Sequence, residues 1–290
     1  MLTATAAPAL TIGVSLKLYF GHARTIAWTR AVADIARAHE AVTSGAVDLF
    51  VIPTFPSLVP ARTELEGTRV HLGAQDLAWA DKGAFTGEVS GAELAEIGVD
   101  LVEIAHAERR RLFHEDDAVI AGKVHAAFRN HLTPLICVGE AEAGDGSPAA
   151  LAAAVADVTG QLDRALATAT SDHLVGPVIV AYEPVWAIGA PAPAPDDHIV
   201  TVLDGIARHV ADRPELAGSR VIYGGSAGPG LLTRGAGRIG GLFLGRFAHD
   251  PAAIATILDE AVSLGGAGAD GAAARGEAEV PDARSAEVDA

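Results

Sequence analysis

The sequence predicts an α/β protein that closes into a single (β/α)8 barrel. Short apolar runs alternate with helical patterns eight times along the chain, and such alternation implies parallel strands joined by helical crossovers. The chain has 290 residues, which holds a barrel of roughly 250 residues in one piece. The side chains able to do chemistry fall at the carboxyl ends of the predicted strands, where a parallel barrel gathers its site. A doubly wound open sheet is the alternative, but no Gly-x-Gly-x-x-Gly turn follows the first strand.

In chain order, residues 1–10 form an N-terminal extension with no basic or long apolar segment, so an export signal is not expected. Strands are predicted at 11–18, 47–53, 69–75, 100–106, 133–139, 178–184, 220–224 and 241–245 from their apolar, β-branched runs. Helices are predicted at 25–43, 56–65, 92–97, 115–131, 148–168, 196–211, 228–233 and 251–264. Ser147-Pro148 and Asp250-Pro251 each pair a capping residue with proline in the first turn. The barrel domain therefore spans 11–264. From Gly265 the chain carries six acids, two arginines and no apolar periodicity, which predicts a disordered acidic tail over 265–290.

Bulk properties exclude several classes. The formal charge of −16 disfavours nucleic acid and anionic membrane surfaces as partners. No run of about 18 uncharged apolar residues is present, so no membrane span is expected. The single Cys137 precludes an internal disulfide and suits a reducing cytoplasm.

The organising stretch is Ala181-Tyr182-Glu183-Pro184-Val185-Trp186-Ala187-Ile188-Gly189. A buried strand delivers one carboxylate, Glu183, and Pro184 keeps its backbone extended. The loop beyond could close over that carboxylate and exclude water, as a base acting on a carbon acid requires. Other strand ends supply Lys17, Gln75-Asp76, His106-Ala107-Glu108-Arg109-Arg110, Tyr223-Gly224-Gly225-Ser226 and Gly245-Arg246. Glycine-rich turns after strands seven and eight form an anion cradle from backbone N–H groups. Arg109 and Arg110 read as structural ion-pair partners, and Cys137 as a packed apolar residue. Glu103, alternating with Val102 and Ile104, reads as facing the helix layer.

Ala181–Gly189, His106 with Glu108-Arg109-Arg110, Pro134-Leu135-Ile136-Cys137-Val138-Gly139-Glu140, 83–88 and Tyr223–Ser226 together resemble the triosephosphate isomerase family, from about Ile12 to Leu264. The resemblance implies a TIM barrel and a cofactor-independent, metal-free aldose–ketose isomerase of small sugar phosphates. In that reading Glu183 moves a proton between adjacent carbons. His106 polarises the carbonyl as a neutral imidazole, a feature for which this family is a standard example of pKa tuning. Lys17 stabilises the enediolate, Glu108 holds Lys17 or its network, and Gly189, Ser226 and Gly245 hold the phosphate. The family's long third loop, here 77–90 with Thr86, implies a homodimer.

The chain departs from the family pattern at informative places. Ser15 stands where the family has Asn, Leu16 and Leu18 flank Lys17 in place of Trp and Met, and Ala107 replaces Ser. The lid tip is Ala190-Pro191-Ala192-Pro193-Ala194-Pro195 in place of Gly-Thr-Gly-Lys-Thr-Ala, hence stiffer and poorer in amide donors. Arg246 follows Gly245 where the family has Gly-Gly, either to grip the dianion bidentately or to pair elsewhere with an acid. Ser15, 78–81 and 243–246 are similar to the erythrulose-phosphate isomerase branch, which acts on four-carbon sugar phosphates. The expected substrate is therefore a triose or tetrulose phosphate, leaning to the latter. The alternatives are another phosphate-binding barrel enzyme, such as an epimerase, and a silent paralogue serving as a binding module.

Overall fold

Eight parallel strands hydrogen-bond in sequence order, and the last pairs back onto the first, closing the sheet. They are β1 (Leu10–Ser15), β2 (Val47–Ile52), β3 (His71–Ala74), β4 (Leu101–Ile104), β5 (Thr133–Val138), β6 (Ile179–Tyr182), β7 (Arg220–Tyr223) and β8 (Gly241–Leu244). The computed structural model describes the backbone of residues 10–273 and the side chains as far as Leu264. Around the barrel run α1 (His22–Ala38), α2 (Glu40–Thr43), α3 (Leu58–Leu65), α4 (Gly91–Glu96), α5 (Ala107–Phe113), α6 (Asp117–Arg129), α7 (Pro148–Ser171), α8 (Asp196–Ala211), α9 (Leu231–Arg234) and α10 (Pro251–Ala273). Among the described residues, no helix is long and apolar enough to cross a membrane.

Two apolar layers hold the fold. The barrel interior is a cluster of its own, containing Phe50, Ile52, Leu101, Leu135, Cys137, Ile179, Ala181, Ile222 and Phe243. The larger cluster lies between the outward face of the strands and the helices. Cys137 is thus a packed interior residue, and burial pushes its thiol well up. An eight-stranded barrel is just wide enough for side chains to fill it, and the filling here is tight. Phe50 occupies the space that a side chain at Gly13 would need, since a Cβ there would lie 1.8 Å from the ring. The same ring meets Phe243 at 5.9 Å between centroids. At the amino end of the barrel, Arg220 of β7 bridges to Asp48 of β2 at 2.7 Å.

Local chemistry sets the helix starts. Ser147 accepts from Ala150 N ahead of Pro148, and Asp250 accepts from Ala252 N ahead of Pro251, as their sequence implies. Ser90 caps α4 and Asp116 caps α6 in the same way.

The structure corrects four details of the sequence reading. The first helix begins at His22 and breaks at His39, whose extended backbone and ring bond to Ala41 N restart the chain as α2. Helix α5 is absent from the sequence reading because it buries no residue and so leaves no apolar period. The last helix runs past Leu264 to Ala273. The remainder of the acidic tail, 274–290, and nearly all of the N-terminal extension lie outside the described residues. Finally, Glu103 points into the barrel, not toward the helices. It shares a face with Leu101, two residues earlier and part of the interior cluster. Both faces of a barrel strand are apolar, so hydrophobicity alone cannot tell inside from outside.

Because the Phe50 ring fills the space at Gly13, Gly13→Ala should destabilise the barrel by about 1–3 kcal/mol. Thermal unfolding checks this: an unchanged Tm would mean the interior can open to admit a methyl group.

Candidate active site

Three strand ends bring the expected catalytic groups together at the carboxyl mouth of the barrel. Lys17 lies just beyond β1, His106 just beyond β4 and Glu183 just beyond β6. All three line one cavity of about 400 Å³ with Ser15, Glu108, Gly189, Ser226, Gly245 and Arg246. Every site residue read from the sequence therefore borders a single space.

His106 is turned into the mouth by Ala105, which adopts φ 67°, a left-handed conformation that costs an alanine stabilisation. Lys17 (φ 46°) and Ser226 (φ 44°) share that conformation. Non-glycine residues in this region cluster where the surrounding structure forces them. Part of that force is visible at Lys17, whose carbonyl accepts from Gln75 Nε2 at 2.9 Å.

His106 also caps α5. The backbone N–H of Glu108 donates to its Nδ1 at 3.1 Å, so in the neutral ring the proton sits on Nε2. Nε2 faces the Glu183 carboxylate at 3.2 Å and Glu103 Oε1 at 4.0 Å. Burial lowers the proton affinity of the imidazole, but Glu183 and then Glu103 outweigh it, and the net direction is upward. The family resemblance implies a neutral ring. Burial and the Glu108 N–H at Nδ1 favour that neutral form, and the Glu183 and Glu103 charges oppose it.

Lys17 Nζ donates to Glu108 Oε1 at 2.9 Å. Burial lowers the Lys17 pKa, yet Glu183, Glu108 and Glu103 raise it further, so the ammonium stays charged. Burial pushes Glu108 up, and its bond to Lys17 pulls it below the ordinary carboxylate range. Beneath this layer Ser15 Oγ donates to Glu103 Oε2 at 2.8 Å. Burial holds the Glu103 carboxyl above its ordinary range.

Arg109 and Arg110 are structural, as expected. Arg109 pairs with Asp76 at 2.7 Å and Glu115 at 2.6 Å, and Arg110 with Asp117 at 3.0 Å. Lys123 joins the same buried cluster through Asp76 at 2.6 Å. These bonds fasten the start of the 77–90 loop to α5 and α6.

Glu183 itself is tightly seated. A Cβ at Gly139 would lie 1.9 Å from the Glu183 carbonyl oxygen, and one at Gly224 would lie 2.5 Å from Glu183 Cγ. Only glycine permits either approach. The lid that follows, 184–195, is tied down along its length. Trp186 Nε1 donates to Glu140 Oε1 at 2.9 Å, an oxygen that Tyr182 and His198 also meet at 3.0 Å. Ser226 Oγ contacts the carbonyls of Ala187 and Ala190 at 2.8 and 2.9 Å, and Ala194 N donates to the Tyr223 hydroxyl at 3.1 Å. Arg246 Nη2 donates to the Gly189 carbonyl at 3.3 Å, so its guanidinium meets the lid and not a carboxylate. The sequence reading missed the lid roles of Glu140, His198 and the Tyr223 hydroxyl, which depend on contacts between distant strands.

The fold and the mouth can be set beside known proteins. A model of the family described as triosephosphate isomerase matches residues 10–261. The L-erythrulose-1-phosphate isomerase of Pectobacterium atrosepticum is 48% identical over 88% of this chain and 96% of its own length. A triosephosphate isomerase from Mycobacteroides abscessus is 43% identical over 62% of this chain and 69% of its own length. Among solved structures, triosephosphate isomerase from Bartonella henselae superposes with a TM-score of 0.70 at 29% identity, covering 87% of this chain and 98% of that one. The family model spans the whole barrel and these relatives cover most of the chain: it belongs to the triosephosphate isomerase family.

Proposed function

We propose that this chain isomerises a four-carbon erythrulose phosphate by moving a proton between adjacent carbons through an enediol(ate). The observation that carries the proton-transfer reading is the Glu183 carboxylate and His106 Nε2 facing one cavity, 3.2 Å apart, beside Lys17. The substrate is supported by similarity. Relatives from Pectobacterium atrosepticum (48% identical) and Rhizobium etli (36% identical) both carry the name L-erythrulose-1-phosphate isomerase.

Glu183 removes the proton from the carbon next to the carbonyl, and the C–H electrons form the carbon–carbon double bond. The carbonyl electrons move onto oxygen, which the His106 Nε2–H stabilises by hydrogen bonding. Lys17 places a fixed positive charge beside the same oxygens in a water-poor site, where it is worth more than in solvent. Glu183 then returns the proton to the neighbouring carbon. Lys17, Arg111 and Arg246 all line the cavity and oppose the overall charge of −16 for an anionic substrate. The phosphate falls to the amides around Gly189, Ser226 and Gly245. Arg246 spends one N–H on the lid carbonyl and keeps others for the dianion.

Substrate size changes what the same step produces. In a 1-phosphorylated tetrulose the carbon bearing the phosphate ester cannot become the new carbonyl, so the proton must leave C3. The product is a second ketose, with a hydroxymethyl group on the reacting carbon. A triose phosphate carries hydrogen there and gives an aldehyde. The triose reading is kept because the Mycobacteroides abscessus relative is named triosephosphate isomerase. An epimerase would not need Lys17, His106 and Glu183 in this arrangement, and a silent binding module would not need the seated base.

Homodimerisation through 77–90 belongs to the same proposal. Trp79 and Phe85 on that loop pack edge to face at 5.7 Å and remain part-exposed, and Leu18 beside Lys17 is 88% exposed. A cytoplasmic location is supported by the unpaired Cys137.

Purified protein should interconvert erythrulose phosphates faster than triose phosphates in coupled assays; turnover of triose phosphates alone would reverse the assignment. Glu183→Gln should cut kcat about 10²–10⁴-fold with little change in KM; a milder loss would mean another group is the base. Arg246→Ala should raise KM for the phosphorylated substrate by about tenfold or more, whereas an unchanged KM would remove Arg246 from the phosphate site.

A further inference from the structure

Glu103 is a second carboxylate inside the barrel that the proton transfer does not use. It is 3% exposed, and among the described residues its recorded partners are the Ser15 hydroxyl at 2.8 Å and His106 Nε2 at 4.0 Å. Among the described residues no lysine or arginine bonds it directly. Burying a carboxyl in an apolar interior is costly, and an aliphatic side chain would fill the same space without that cost. The Ser15–Glu103 hydrogen bond runs from β1 to β4 across the barrel and forms a layer one step below Lys17 and His106. Ser15 borders the cavity and Glu103 lies behind it.

The geometry assigns the direction of that bond a purpose. Serine has one proton, and Ser15 gives it to Glu103 Oε2, so its oxygen turns only lone pairs toward the cavity. We infer that Glu103 is a positioning residue that holds Ser15 as a hydrogen-bond acceptor for the hydroxymethyl group of a tetrulose phosphate, and that the pair thereby selects four-carbon over three-carbon substrates. This rests on the substrate reading above. That hydroxymethyl group sits on the reacting carbon, between Glu183 and His106, and its hydroxyl needs an acceptor once removed from water. A carboxylate in the cavity wall would repel the enediolate. Placed behind Ser15, it passes on only a directed lone pair. Ionised, Glu103 can only accept, which fixes the bond as running from Ser15 to Glu103; protonated on Oε1, it still offers Oε2 as the acceptor.

The test compares kcat/KM for erythrulose 1-phosphate and dihydroxyacetone phosphate in the full-length protein and in Ser15→Ala, Glu103→Leu and Glu103→Gln. Ser15→Ala and Glu103→Leu should lower the tetrulose-to-triose ratio by about tenfold or more, with KM for the tetrulose rising more than its kcat falls. Glu103→Gln should restore the ratio to within about threefold of wild type, because the amide oxygen still accepts from Ser15. Should Glu103→Leu not fold, Ser15→Ala and Glu103→Gln decide the matter. Wild-type protein inactive on erythrulose phosphate would overturn the substrate reading. A wild type active on it, with variants losing equally on both substrates or with Glu103→Gln as poor as Ser15→Ala, would overturn the assignment of the pair alone.

Discussion

The structure depends on one juxtaposition, the Glu183 carboxylate against the Nε2 edge of His106. Neither group can reach the other from its own strand without help. Glu183 needs glycine at 139 and 224 to lie as deep as it does, because any Cβ there would collide with it. His106 needs the left-handed turn at Ala105 and the Glu108 N–H of α5 to aim its ring. The tight interior around Phe50 and Phe243 keeps the strand ends at the spacing these turns require. A proton transfer demands this precision, since misplacing the reacting groups by about 1 Å can cost two orders of magnitude in rate.

Electrostatics in the mouth follow from the same placement. Three carboxylates surround one imidazole and one ammonium; all three raise the proton affinity of Lys17, and Glu183 and Glu103 raise that of His106. Lys17 is thereby kept charged against the opposing effect of burial. For the imidazole the raised affinity rests chiefly on Glu183.

The proline-rich lid resolves a difficulty that the sequence poses. Alternating prolines remove amide donors from the tip. The contacts show that this lid is held mainly through its carbonyls, those of Ala187, Gly189 and Ala190, which meet Ser226 and Arg246. Proline keeps its carbonyl and loses only the N–H. The Ala194 amide lies between two prolines and finds the Tyr223 hydroxyl. Arg246 and the altered tip are therefore two halves of one arrangement.

Much of this was legible in the linear chain. Strand–helix alternation, the placement of Lys17, His106 and Glu183 at strand ends, and the capping pairs are local properties, carried by period and spacing. What the sequence could not carry were features whose cause lies across the barrel. Helix α5 buries nothing and so leaves no period. Glu103 sits in a strand apolar on both sides, where alternation has no sign. The Glu140–Trp186, Glu140–His198 and Tyr223–Ala194 contacts join residues 29 to 58 positions apart in sequence. The sequence by itself determined the fold and the reacting groups, because both follow from local pattern. Only the tertiary structure decided that Ser15 borders the cavity and that its hydroxyl reaches Glu103 behind it, because a hydrogen bond across the barrel exists only once the barrel has closed.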